Sequence, residues 1–128
     1  MTLDRLLKIR TTRENALRAK QRALRAEIET RRNNLGELSG QMAVNREAWR
    51  TASREEYLIT SSRPLQSLKH ALHLFYRTEQ RLLAEERATH EQITALETDL
   101  AAHAVSLKEN LRSQEKLSLL KEELNVSH

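Results

Sequence analysis

The chain has no cysteine, which excludes disulfides and thiolate metal sites. It has a single proline, Pro64, so nothing of that kind breaks a helix on either side of it. Its two glycines, Gly36 and Gly40, are not near a Gly-Lys-Ser/Thr string, so there is no phosphate-binding loop and ATP hydrolysis by the chain itself is not expected. Only four aromatic residues are present, too few for the core of an ordinary domain of 128 residues. No apolar run approaches the roughly 20 residues of a membrane span, so direct membrane insertion is not expected. Met1-Thr2-Leu3-Asp4-Arg5 lacks the apolar core of a cleaved signal peptide, and the expected compartment is the cytoplasm.

What is abundant is Leu, Ala, Glu, Arg, Gln and Lys, the good helix formers, with 31% of residues charged. Alternate steps of four and three from Leu3 trace a heptad seam through Leu7, Arg10, Glu14, Leu17, Gln21, Leu24, Ile28, Arg31, Leu35, Leu38, Met42, Asn45, Trp49, Ala52 and Glu56 to Ile59. Restarting at Leu65 gives Leu68, Leu72, Phe75, Glu79, Leu82, Glu86, Thr89, Ile93, Leu96, Leu100, His103, Leu107, Asn110, Gln114, Leu117, Lys121 and Leu124. Most positions in both arms are apolar, and a 3.5-residue repeat held this long keeps one stripe of a helix against a partner helix. Two arms of near-equal length around one breaker predict an all-α fold: a long two-helix antiparallel coiled-coil hairpin, one domain over 1–128. Helix one is expected over about 3–60, the turn over about 60–64 and helix two over about 64–124. Each arm of about 60 residues would span roughly 90 Å.

Asp4 suits the positive end of the helix dipole. Gly36 and Gly40 fall off the seam, so helix one is expected to run through them with a soft spot at 33–40. Thr60-Ser61-Ser62-Arg63-Pro64 has the composition of a turn and helix cap, and Arg63, before proline, is biased away from helical angles. Reflecting the seam about the turn is expected to bring Leu24 close to Leu107.

Charge is uneven. Residues 1–63 carry 14 Lys/Arg against 8 Asp/Glu, a net of +6, and residues 64–128 carry 8 against 10, a net of −2. Arg5, Lys8, Arg10, Arg13, Arg18, Lys20, Arg22 and Arg25 crowd the first half of arm one, which suits an acidic partner. DNA is a poor candidate. A zipper-type basic region is polar on all sides, whereas Leu7, Leu17 and Leu24 carry the seam through this one, and Glu14, Glu27 and Glu29 interrupt it.

Candidate chemistry is sparse, and no catalytic, cofactor-binding or metal-binding residue is assigned. His70 and His73 are three apart but have no acid at helical spacing to complete a metal site. His103 lies on the seam and reads as a packed, hydrogen-bonded histidine. The aromatics, Trp49, Tyr57, Phe75 and Tyr76, gather on either side of Pro64. Trp49 and Phe75 are seam residues that cap the core. Tyr57 and Tyr76 are off the seam, and exposed aromatics are good anchors for a protein partner.

Four stretches together resemble the type III secretion stalk proteins, the YscO/FliJ family. Leu6-Leu7-Lys8-Ile9-Arg10-Thr11-Thr12-Arg13-Glu14 is similar to the family's opening Leu-Leu-x-Ile/Leu-Arg/Lys-x-x-Arg-Glu. Trp49-Arg50 resembles a Trp-Arg placed before the hinge, Arg81-Leu82-Leu83-Ala84-Glu85-Glu86 the early second helix, and Arg112-Ser113-Gln114-Glu115-Lys116-Leu117 a terminal Arg-x-x-Glu-Lys pattern. The tyrosine-rich hinge of the family is reduced here to Tyr57 and the Ser-Ser-Arg-Pro turn. The resemblance spans nearly the whole chain. It implies a non-enzymatic central stalk at the cytosolic face of a secretion apparatus, with paired termini in the pore of a hexameric export ATPase. The hinge half would point to the cytosolic ring of the export gate, and secretion chaperones would also bind. On that basis Leu6, Arg10 and Arg13 beside Leu117, Leu120 and Lys121 form the ATPase-binding end, and Trp49, Tyr57, Phe75 and Tyr76 the gate-binding end. The alternatives are a homo-oligomeric structural coiled coil and, less favoured, a DNA-binding dimer. Self-association distinguishes them, because a stalk of this kind is a monomeric hairpin when isolated.

Overall fold

The computed structural model describes the backbone of Thr2–Tyr57 and Ser62–Val126, and side chains over 2–54 and 65–125. The fold is all-α, a hairpin of two long helices packed against each other: α1, Thr2–Tyr57, and α2, Ser62–Val126. Asp4 lies in the first turn of α1 and Arg54 in its last, each opposite in sign to the helix-dipole end it occupies. Positions 58–61, which hold the first two residues of the expected turn, lie outside the described residues, and its last three, 62–64, are already in α2. Helix α2 begins at Ser62, two residues before the expected start, so Arg63 is helical after all. Pro64 then falls in the first turn of α2, the part of a helix that tolerates proline.

The chain divides into two compact units. The first contains Met1–Glu29 and Thr94–His128, and the second contains Thr30–Ile93. In the first, Asp4 pairs with Lys121 and Arg10 with Asn110, so the helices run antiparallel. In the second, Asn45 meets Glu79 and Trp49 meets Phe75, again antiparallel.

The seam is what the helices bury. From Leu3 to Ala52 every seam position of α1 is buried or half-buried, and so is every one of α2 from Phe75 to Lys121. Leu24, Ile28 and Leu107 are core residues of the first unit, and Leu38, Met42 and Leu82 cluster in the second, with Leu82 the most enclosed at 1% exposure. Near the start of α2 the expectation needs correcting. Leu65 and Leu72 are 61% and 40% exposed, while Ala71 is half-buried. The Trp49–Phe75 stack fills the space between the helices at that level, and the small Ala71, one turn before Phe75, is the side chain on the packed side. Leu124 is also exposed.

The register differs too. In the first unit Asp4 faces Lys121, Arg10 faces Asn110 and Gln114, and Glu14 faces Gln114. Extending that pairing sets Leu24 across from the stretch between Leu96 and Ala104, centred near Leu100, so Leu107 lies about one heptad nearer the chain ends. Heptad phase alone cannot distinguish these, because a seam shifted by seven residues presents the same stripe.

Helix α1 continues without interruption through Gly36 and Gly40. Both are exposed, and a Cβ built on either meets nothing within 4 Å. Each glycine therefore costs helix stability and saves no clash. Replacing both with Ala is expected to raise unfolding stability by roughly 1 kcal/mol per site. Urea denaturation followed by circular dichroism measures it, and an unchanged or lower midpoint would mean that this stretch is not helical in solution.

Candidate functional site

At the termini the packed helices make a polar layer inside an apolar seam. Asn110, 3% exposed, donates its side-chain amide to the Arg10 carbonyl at 2.8 Å and accepts from Arg10 Nη1 at 3.5 Å. Gln114 Nε2 donates to the Arg10 carbonyl at 3.4 Å and to Glu14 Oε1 at 3.0 Å. Gln21 is buried one seam segment along. A buried amide is costly unless satisfied, and this one is satisfied only in a single alignment of the helices, so it fixes register. Asn110 and Gln114 were visible in the sequence as polar seam positions. Their partner across the helix interface was not.

The six residues assigned to the ATPase-binding end do not form one cluster. Arg10 is half-buried in the seam layer just described. Arg13 is exposed and lines a groove with Leu17, Lys20, Ala102 and His103, well inward of Leu117 and Leu120. Lys121 forms an ion pair with Asp4. Leu6 and Leu120 are exposed, at 42% and 47%, and Leu117 is half-buried on the seam. The pairing of Asp4 with Lys121 puts Leu6 at the level of Leu117 and Leu120, so these three are brought together. Ile9, Leu119 and Leu124 are also exposed in this unit, so the surface around the helix ends is apolar as well as basic.

Two carboxylates here are held below their ordinary pKa range. Glu14 accepts from Arg18 Nε at 2.8 Å, the main cause, and from Gln114. Asp4 is lowered chiefly by its hydrogen bond to Lys121 and then by that ammonium's charge. A carboxyl whose pKa falls on folding binds protons more readily when unfolded. Its contribution is thus present above the ordinary carboxylate range and is lost as pH falls through the folded value. The first unit is therefore expected to lose stability on acidification below about pH 4. Hydrogen exchange of amides in residues 2–29 and 94–125 at pH 6 and pH 3, corrected for intrinsic rates, measures it, and Glu14→Gln should blunt the change.

At the other site, Trp49 and Phe75 stack with ring centroids 5.8 Å apart and planes 26° apart. Tyr76 meets Phe75 edge-on at 6.4 Å and is 59% exposed. Trp49, Phe75 and Tyr76 are thus brought together, with two packed and one at the surface. The side chain of Tyr57 lies outside the described residues. Beside the stack, Asn45 Nδ2 donates to the Phe75 carbonyl at 3.3 Å and to Glu79 Oε2 at 3.4 Å, and Arg46 Nη2 donates to Glu79 Oε1 at 2.7 Å. Glu79, a charged residue on the seam, is in this way fully partnered. On α2, Leu65, Leu72, Tyr76 and Leu83 are all exposed and lie at spacings of seven, four and seven, which is one stripe of a helix.

His70 and His73 are exposed. His103 is half-buried on the seam, with Nδ1 2.8 Å from the Asp99 carbonyl and 3.2 Å from its carboxylate. Among the described residues no group of three or more His, Asp or Glu is placed to hold a metal ion, and no helix is long and apolar enough to cross a membrane. Compared with protein-family models, curated proteins and solved structures, the chain has no significant match.

Proposed function

We propose that the chain is a non-enzymatic central stalk of a type III secretion export ATPase complex, working in the cytoplasm at the secretion apparatus. In this reading the unit carrying both chain ends enters the pore of the hexameric ATPase. The unit containing Thr30–Ile93 meets the cytosolic ring of the export gate and also receives secretion chaperones. The observation that carries the reading is the pairing of the two chain ends within one molecule, through Asp4–Lys121 and the Arg10–Asn110–Gln114 layer. The opening and closing motifs that resemble the family's lie on those two segments. The exposed stripe of Leu65, Leu72, Tyr76 and Leu83 gives the other unit an apolar surface of the kind protein partners bury. The same stripe favours the second reading, a structural coiled coil that self-associates through α2.

The test is co-purification with a hexameric export ATPase, with ATP hydrolysis rate as readout. The chain is expected to bind and to change the rate. Lys8→Glu with Arg13→Glu should weaken binding, and more so at low salt, where exposed charges are least screened. Both side chains are exposed, so these changes leave the seam intact, which a change at Arg10 would not. Undiminished affinity of the double variant at low salt would remove the basic surface from the mechanism. No binding by the wild-type chain, together with a stable dimer in light scattering, would favour the structural coiled coil.

A further inference from the structure

A second surface in the first unit joins charges that the sequence keeps apart. Arg18 and Arg25 of α1 and Lys108 and Arg112 of α2 form the two walls of a groove of about 530 Å³, floored by Leu107 and Leu111. Arg18 and Arg25 are seven residues apart and Lys108 and Arg112 four, so each wall presents its cations along one side of its helix. All four are exposed, and Leu111 is a large apolar side chain at 38% exposure between them. One carboxylate, Glu115, also lines the groove, and Arg18 is held by Glu14 along its own helix.

We infer that this groove is a docking site for an acidic amphipathic helix of a partner protein, with leucine-type side chains on the floor and carboxylates against the two basic walls. Charge and shape decide the occupant. Cations on both sides of an apolar strip complement a helix that is apolar along one stripe and acidic on both flanks. A nucleic-acid backbone would satisfy the walls, but its phosphate and sugar oxygens are a poor cover for Leu111. A second copy would have to bring an apolar stripe with acidic flanks, whereas its exposed stripe of Leu65, Leu72 and Tyr76 runs beside Lys69, His73 and Arg77. The inference stands independently of the stalk reading, because it concerns a lateral surface of the isolated chain.

The probe is a synthetic helical peptide of about four turns, with leucines at i, i+4 and i+7 and glutamates on both flanks. Its binding to the full chain is read by fluorescence anisotropy at two salt concentrations. Saturable binding that weakens with salt is expected. Leu111→Ser should weaken it at least about tenfold, and so should Arg25→Glu with Lys108→Glu. All three positions are exposed or nearly so, and circular dichroism checks that the variants fold. A peptide with lysines in place of the glutamates should bind the doubly reversed variant better than the wild type. No binding, or binding insensitive to Leu111 and to the charge swap, would overturn the inference. So would tight binding of a single-stranded or duplex oligonucleotide that displaces the peptide yet ignores Leu111→Ser, or a salt-independent dimer that occupies the groove.

Discussion

Leu82→Ala is expected to cost the protein about 2–5 kcal/mol, the range for deleting a fully enclosed leucine. Leu82 is 1% exposed and packs with Leu38 and Met42, one residue from α2 against two from α1. Truncation removes the transfer energy of the lost carbons and leaves a void that two helices fixed by their flanking layers cannot close. A two-helix seam has no second layer to redistribute the loss. The thermal midpoint should fall by roughly 10 °C or more. The effect should be local as well. Amide exchange should quicken in residues 30–93 before it does in residues 2–29 and 94–125, because the two units have separate cores. A shift within about 0.5 kcal/mol of wild type, the size of a typical surface substitution, would show that this cluster is not the core.

Trp49→Ala is expected to be nearly as costly, about 2–3 kcal/mol, below the usual range for a fully enclosed aromatic because Trp49 is half-buried. The loss combines buried area with the stacked contact to Phe75. Tyr76→Ala should behave differently. That side chain is 59% exposed and touches the stack only edge-on, so stability should change by no more than about 0.5 kcal/mol. If the proposed gate contact is right, Tyr76→Ala should instead weaken gate binding by roughly 1–3 kcal/mol, as anchor residues do. Denaturation and binding assays on both variants separate the roles. A Tyr76 variant that unfolds while its folded fraction binds normally would make the tyrosine a core residue.

The seam of α1 was legible in the sequence because heptad phase is a local property. Leu3, Leu24, Leu38 and Trp49 each announce the buried face by their own spacing, and the structure buries or half-buries them all. Phase at the start of α2 was not legible. Leu72 outranks Ala71 by size and hydrophobicity, but the Trp49–Phe75 stack decides which of them faces inward, and that stack is a contact across 26 residues. Register was hidden for a related reason. The apolar stripe is indifferent to a shift by one heptad, and the discriminating contacts are polar ones, Asn110 on the Arg10 carbonyl and Asn45 on Glu79. Arg10 combines a charge that suits a partner with a seam position that half-buries it, and only the contact with Asn110 shows which of the two prevails. The groove between Arg18, Arg25, Lys108 and Arg112 needed the register before it could be assembled at all.

Everything proposed for this chain depends on its helices pairing within one molecule. The direct test is a pulsed electron-spin distance measurement with labels at Arg13→Cys and Ala102→Cys, in a chain that has no cysteine of its own. Both positions line the same groove of the first unit, between helices whose axes in such packing lie about 8–10 Å apart. The sample is measured alone and again after unfolding and refolding with a large excess of unlabelled chain. Intramolecular pairing predicts a short, narrow distance distribution that dilution leaves unchanged. A short distance that disappears on dilution would contradict it, and would make the protein a coiled coil between chains.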